Sequence, residues 1–216
     1  PAAVYYNPAG LTQVKETEVS VGTALIAPRV TFDPAGGGEV AMRRNTFFIP
    51  HLYAAVPITN KLVVGLGATS YFGLGTEWAN DSPLRYNATT SVIENKDYMF
   101  TTAYQVNDQW TFALSADLDD SKASKYKKLL QSGGADGDFK LKAKDTAWGY
   151  RLATMLKINE QNQVGLMYRS RIFHNYEGKA YLDNLNNNGN FYQTIFGGTS
   201  YQTRASEKFT LPQSLV

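Results

Sequence analysis

Cysteine is absent from the 216 residues, which excludes a disulfide framework, a thiolate metal site and a cysteine nucleophile. Histidine occurs only as His51 and His174, far apart and without further ligand motifs, so no metal centre is expected. Excess charge is missing too. The 21 Lys+Arg against 19 Asp+Glu leave a formal +2, which lacks the basic footprint of a nucleic-acid or membrane-surface binder. No run of about twenty apolar residues occurs, so no transmembrane helix is expected, yet a spanning β-strand needs only about ten residues with alternate ones apolar. An N-terminal signal is also missing, and Pro1 is not an initiator, so the chain is expected to be processed, truncated or partial.

Catalytic patterns are equally scarce. "GLGATS" lacks the third glycine of a dinucleotide loop and runs on into strand-like sequence. "ADGD" at 135–138 lacks the glutamate and spacing of a calcium loop. No motif gathers a serine, a base and an orienting group. Neither an enzyme nor a cofactor is expected.

Alternation is what the chain has in abundance. In "WTFALSADL" one face reads Trp110, Phe112, Leu114, Ala116, Leu118 and the other Thr111, Ala113, Ser115, Asp117. "AWGYRLATMLKI" sets Trp148, Tyr150, Leu152, Leu156 and Ile158 against Ala147, Gly149, Arg151, Ala153, Met155 and Lys157. "VGLMYRSRI" and "KLVVGLGATSYFG" divide in the same way, as do 18–30, 47–58 and 98–106 less cleanly. One face is bulky and aliphatic; the other is small or polar, with arginine. A soluble barrel would bury the bulky face, whereas a wall standing in lipid turns it outward.

The connections agree. Tight ones ("TNK" at 59–61, "NDQ" at 107–109, "NEQNQ" at 159–163) alternate with long polar ones at 33–46, 74–97, 119–146 and 174–205. "SKASKYKKLLQ" at 121–131 is read as loop. Short turns at one end and long loops at the other are the habit of an outer-membrane barrel. Trp110, at the short-turn end, and Trp78 and Trp148, near long loops, fit interfacial girdles. The reading is all-β, a transmembrane antiparallel barrel with seven strands and the start of an eighth. A soluble lipocalin-like barrel or sandwich is the alternative that alternation alone does not remove.

"AVYYNPAGLT", "VVGLGATSYFGLGTEW", "TAYQVNDQWTFALSADLDDSKASKY", "VGLMYRSRIFHNYEGKA" and the closing "LPQSLV", in this order, resemble landmarks of the FadL/TodX family of outer-membrane transporters. The resemblance implies passive uptake of long-chain fatty acids or aromatic hydrocarbons, with lateral release through the wall; a general porin or adhesin barrel is the alternative. It also implies fourteen strands, of which this chain supplies the N-terminal part. Residues 1–16 would close an N-terminal hatch, and 17–216 would belong to the barrel. Asn7, Pro8 and Ala9 would form the hatch corner, seated against a strand kink at Phe72 and Gly73. Tyr71 stands where that family carries proline. The implied partners are a hydrophobic small molecule, outer-membrane lipid and lipopolysaccharide, with a monomeric barrel in the outer membrane of a Gram-negative cell.

One register expectation comes from the residues themselves. Pairing Ile158 with Val164 across "NEQNQ" puts Arg151 opposite Arg171, Ala153 opposite Arg169 and Met155 opposite Met167, all facing inward. Opposed like charges need an anion between them. Asp117 could serve one arginine. Arg151, Met155, Met167, Arg169 and Arg171 are therefore a candidate site for a fatty-acid carboxylate and its chain, with a lumen charge network as the equal alternative.

Overall fold

The computed structural model describes residues 1–43, 45–131, 134–186 and 195–216. A short helix α1 (Ala3–Tyr6) and a 3-10 helix (Pro8–Gln13) precede the strands β1 (Glu18–Ile26), β2 (Thr31–Phe32), β3 (Val40–Ala41), β4 (Phe47–Pro57), β5 (Leu62–Thr69) and β6 (Gly73–Glu77). After a second 3-10 turn (Pro83–Tyr86) come β7 (Thr90–Gln105), β8 (Trp110–Leu129), β9 (Gly137–Lys157), β10 (Gln163–Arg169), β11 (Ile172–Asp183), β12 (Tyr201–Leu211) and β13 (Ser214–Leu215). Except for the small β2–β3 hairpin, all join one antiparallel sheet of 11 segments. The pairs β5–β6, β10–β11 and β12–β13 each continue one line through it, so the segments trace eight wall strands. The sheet is curved around the N-terminal helices and is not closed; β1 and β12–β13 form its edges.

Its two faces follow the alternation. Phe48, Leu52, Leu66, Phe100, Phe112, Leu114, Trp148, Leu152, Val164 and Leu166 are exposed on the outside. Tyr53, Ala55, Val63, Met99, Ala103, Ala113, Ala153 and Met167 are buried on the inside against Val4, Ala9 and Leu11. A soluble protein does not expose so continuous an apolar belt; one standing in lipid must.

The tight turns share one device. Asn107 Oδ1 accepts from the N–H groups of Gln109 and Trp110 at 2.9 and 2.8 Å. Asn159 Oδ1 does the same for Gln161 and Asn162 at 3.0 and 2.8 Å. The Thr59 hydroxyl accepts from Lys61 and Leu62. These side chains mimic a backbone turn and hold it closed.

Three expectations require correction. The stretch 119–146 is not one loop, because β8 and β9 stay paired from Trp110 opposite Leu156 up to Leu129 opposite Gly137. Likewise β11 reaches Asp183, β12 starts at Tyr201, and β7 starts at Thr90. Above the lipid belt the outward residues are charged and the buried inward ones, among them Asn95, Asp119, Ser121 and His174, are polar too, so apolar alternation vanishes while backbone pairing continues. The second correction is register. The Asn159 turn closes early, pairing Lys157 with Gln163 and Arg151 with Arg169, not Arg171. The third concerns Arg171. Met167 is buried and Arg169 half-buried, but the inward series resumes at Ile172, His174 and Tyr176. The extra residue is a bulge at 170–171, where Ser170 exchanges bonds with the Tyr150 backbone. It turns Arg171 outward into exposure.

Candidate functional site

The site begins with the Asn-Pro-Ala corner. Asn7 is extended (φ −155°, ψ 99°), ending α1, and its Oδ1 accepts the Ala9 N–H at 3.0 Å to cap the 3-10 helix. Pro8 opens that helix where no N–H is required. The Asn7 amide then donates to the Thr154 carbonyl of β9 at 3.4 Å. The corner folds two short helices back on each other and pins them inside the wall.

Glycines on β5 receive this plug. A Cβ on Gly65 would stand 2.7 Å from Val4 Cγ2 and 2.8 Å from Leu11 Cδ1; one on Gly67 would stand 2.9 Å from Val4 Cγ1. Val4 and Leu11 are fully buried in the hollow those glycines leave. Gly65→Leu should therefore displace residues 1–13 while the outer strands still assemble, at a cost of about 1–3 kcal/mol from overpacking. Proteolysis of the folded barrel in detergent checks this: cleavage near the N-terminus should accelerate in Gly65→Leu and stay at wild-type rate in an outward-facing control, Leu66→Ala.

Above the apolar plug lies a charged layer. Arg151 has no exposed surface; its Nη2 is 2.6 Å from Asp97 Oδ2 and its Nε 2.7 Å from Asp117 Oδ2. Its Nη1 donates to the carbonyls of Val4 and Tyr5, both at 3.3 Å. One guanidinium thus ties β7, β8 and β9 to the end of α1. His174 lies 3.1 Å from Asp119 Oδ1 and 3.0 Å from Asp145 Oδ2, and an imidazolium presents an N–H to each. Asn95 bonds to Asp119, and Ser121 to the Tyr176 hydroxyl.

The wall is broken beside this layer. Thr69 pairs with Asp97 and Gly73 with Glu94, so Ser70, Tyr71 and Phe72 stand opposite only Asn95 and Lys96. The extra residue separates β5 from β6. On the other side, β4 pairs with β5 only from Leu52 onward, opposite Ala68. Residues 47–51 keep their partners on β1 but have no ladder partner on β5 or β6. Phe48 is 70% exposed on the outer face at that level, which places the gap inside the apolar belt. Tyr71 turns across the lumen, with the Arg169 guanidinium 4.4 Å from its ring centre and 5.3 Å from that of Tyr5 on α1.

Over residues 1–215 this sequence matches the family described as outer membrane protein transport protein, OMPP1/FadL/TodX. The chain belongs to that family. An outer membrane protein of Neisseria meningitidis serogroup B is 27% identical, the match covering 83% of this chain and 46% of that protein. The long-chain fatty acid transport protein of Escherichia coli O6:H1 is 24% identical, over 85% and 47%. The chain spans about half the length of these curated relatives. Among solved structures, a TodX monoaromatic hydrocarbon channel mutant superposes with a TM-score of 0.77 at 19% identity, covering 99% of this chain and 60% of that one. A Pseudomonas aeruginosa FadL homologue gives 0.76 at 15%, over 100% and 59%. The fold is therefore the FadL/TodX barrel wall, and the chain is an outer-membrane protein.

The FadL/TodX resemblance placed the corner against the kink; here the corner's hydrogen bonds run to β9, and the plug approaches the kink through Tyr5, Arg169 and Tyr71. The carboxylate-site residues also separate. Arg151, Met167 and Met155 surround the plug: Met167 packs in its core, and the Met155 sulfur accepts from Gln13 at 3.4 Å. Arg151 is committed to two carboxylates and two carbonyls, which makes it a positioning residue for the N-terminal helices. Asp117 meets Arg151; Arg169 stays in the lumen and Arg171 leaves it. Asp97, Asp119, Asp145 and His174 had no local motif. The inward phase of Asp97 in "NKDYMF", and of Asp119 two residues after Asp117, was the signal available.

Proposed function

We propose that this chain forms part of an outer-membrane channel for passive uptake of hydrophobic compounds, long-chain fatty acids or aromatic hydrocarbons, with sideways release through the gap between β4 and β6. The observation that carries this reading is the backbone at 47–51, paired with β1 on one side but with no strand partner on the side that faces the kink at 70–72, beside a filled lumen. A straight path is obstructed by Val4, Leu11 and the Arg151 layer, whereas an apolar molecule leaving through the gap meets Phe48 and the lipid belt. Unpaired backbone inside a lipid-facing wall costs several kcal/mol per group, so a structure that keeps it has a use for it. Asn7, Pro8 and Ala9 then hold the plug, and Phe72 and Gly73 shape the exit. A Cβ at Gly73 would meet only the Ile93 carbonyl, at 3.7 Å, so the position has room at the gap. The names of the relatives support the same ligand class.

The test is uptake of labelled oleate and of toluene by cells that lack their own transporter and express the full-length protein. Uptake of at least one should exceed that of control cells and persist with an uncoupler, because no energy source is invoked. No excess over control for either compound, in cells with folded protein in the outer membrane, would reject the reading.

A further inference from the structure

The outer surface holds a feature that uptake does not use. Above Trp148, which is 62% exposed, the long strands continue with charged residues pointing outward. Across β9, β11 and β12, Lys142 lies opposite Lys179, and Lys179 lies opposite Arg204. In the row below, Lys122 of β8 lies opposite Lys144 of β9. All five are exposed. Side chains directly opposed on one face of a sheet are about 5 Å apart at Cβ, and like charges there weaken the pairing.

Among the described residues no carboxylate stands directly opposite the upper row. The carboxylates nearby belong elsewhere. Glu94 stands opposite Lys122 and Glu177 opposite Lys144, flanking the lower row. Asp138 is held by Lys128 at 2.7 Å, and Asp183 lies 3.9 Å from Lys140. Among the described residues Lys122, Lys142, Lys144, Lys179 and Arg204 form no ion pair. Followed onto β8 and β7, the upper row ends in Ser124 and Val92.

Its height identifies the occupant. Tryptophan marks the boundary between hydrocarbon and headgroups. Lys142 is six positions beyond Trp148, which at a rise near 3.3 Å and a tilt near 40° lifts it about 15 Å. Lys144 stands between the two, so the cations rise through the headgroup layer, continuous with the belt on which acyl chains lie. We propose that Lys142, Lys179 and Arg204, with Lys122 and Lys144 beneath, bind the phosphate groups of a glycolipid in the surrounding leaflet. Arg204 offers a phosphate a two-pronged donor, and the lysines act as point charges. Phosphate bridging the rows would convert opposed like charges into cross-strand support. The inference stands apart from the transport reading, since it concerns the outer face alone.

The test uses full-length protein in detergent and follows thermal unfolding while purified lipopolysaccharide is added. Parallel arms use dephosphorylated lipopolysaccharide and inorganic phosphate. The variants are Lys142→Gln/Lys179→Gln/Arg204→Gln and, at the opposite end of the wall, Lys15→Gln/Lys61→Gln/Lys157→Gln. Intact lipopolysaccharide should stabilise wild type and the control triple. Its apparent affinity for the upper-row triple should fall about 100-fold, at roughly fivefold per cation. The other two arms should give no stabilisation. Without ligand the upper-row triple should fold at least as stably as wild type, because it loses only repulsion. Equal affinity in both triples, or equal stabilisation by the dephosphorylated glycolipid, would overturn the proposal. Stabilisation reproduced by inorganic phosphate alone would overturn the assignment to a lipid.

Discussion

Arg151→Met is expected to remove a large fraction of the protein's folding margin. The substitution leaves Asp97 and Asp117 buried, at 0% and 1% exposure, with their shared cation gone. Breaking a buried ion pair from one side costs about 3–5 kcal/mol, against a total stability of roughly 5–15 kcal/mol. The carbonyls of Val4 and Tyr5 lose their donor in the same step. The N-terminal helices should loosen first, then the barrel should fail to assemble, seen as a lower folded fraction in detergent and a lower urea midpoint. Arg151→Met combined with Asp97→Asn and Asp117→Asn should recover much of the loss, because no unpaired charge remains. A single variant as stable as wild type would show that the layer does not lock the N-terminal helices in place.

Deleting Tyr71 is expected to abolish uptake in a barrel that still folds. Without it, Ser70 stands opposite Lys96 and Phe72 opposite Asn95, and the ladder from Thr69 to Gly73 becomes continuous. Residues 47–51 of β4 can then pair onward from Leu52 opposite Ala68, closing the gap at about 1 kcal/mol of net stabilisation for each new bond. Tyr71→Ala separates backbone from ring, since it keeps the extra residue but removes the partner of Arg169. It should retain uptake. Folded protein should be confirmed for both, and transport measured with the labelled compounds used for wild type. Undiminished uptake by the folded deletion variant would mean that molecules leave elsewhere.

The kink and the plug were legible in different degrees. Asn-Pro-Ala announces a capped corner because proline lacks a donor and asparagine supplies an acceptor, and both are local properties. Gly65 and Gly67 gave no hint of the plug, for a glycine in a strand does not say what approaches it. The wall strands were legible from Trp110 to Leu118 and from Trp148 to Ile158, where lipid enforces alternation. They were illegible from Asp119 to Thr146, where the buried inward residues Asp119 and Ser121 are as polar as the outward lysines, so no apolar period marks the strand.

By itself the sequence determined the all-β class, the outward apolar face, the short-turn and long-loop ends, and the Asn-Pro-Ala corner. Each depends on neighbours within a few residues. The tertiary structure alone decided which charges meet. A turn at Asn159 one pair tighter than the hydrophobic match suggested put Arg151 beside Arg169, and one bulge at 170–171 sent Arg171 outside. The pairing of Arg151 with Asp97 and Asp117, and the row of Lys142, Lys179 and Arg204, likewise join residues on separate strands. Register is a sum over turns and bulges, and with a side-chain period of two a single residue more or less exchanges lumen for lipid.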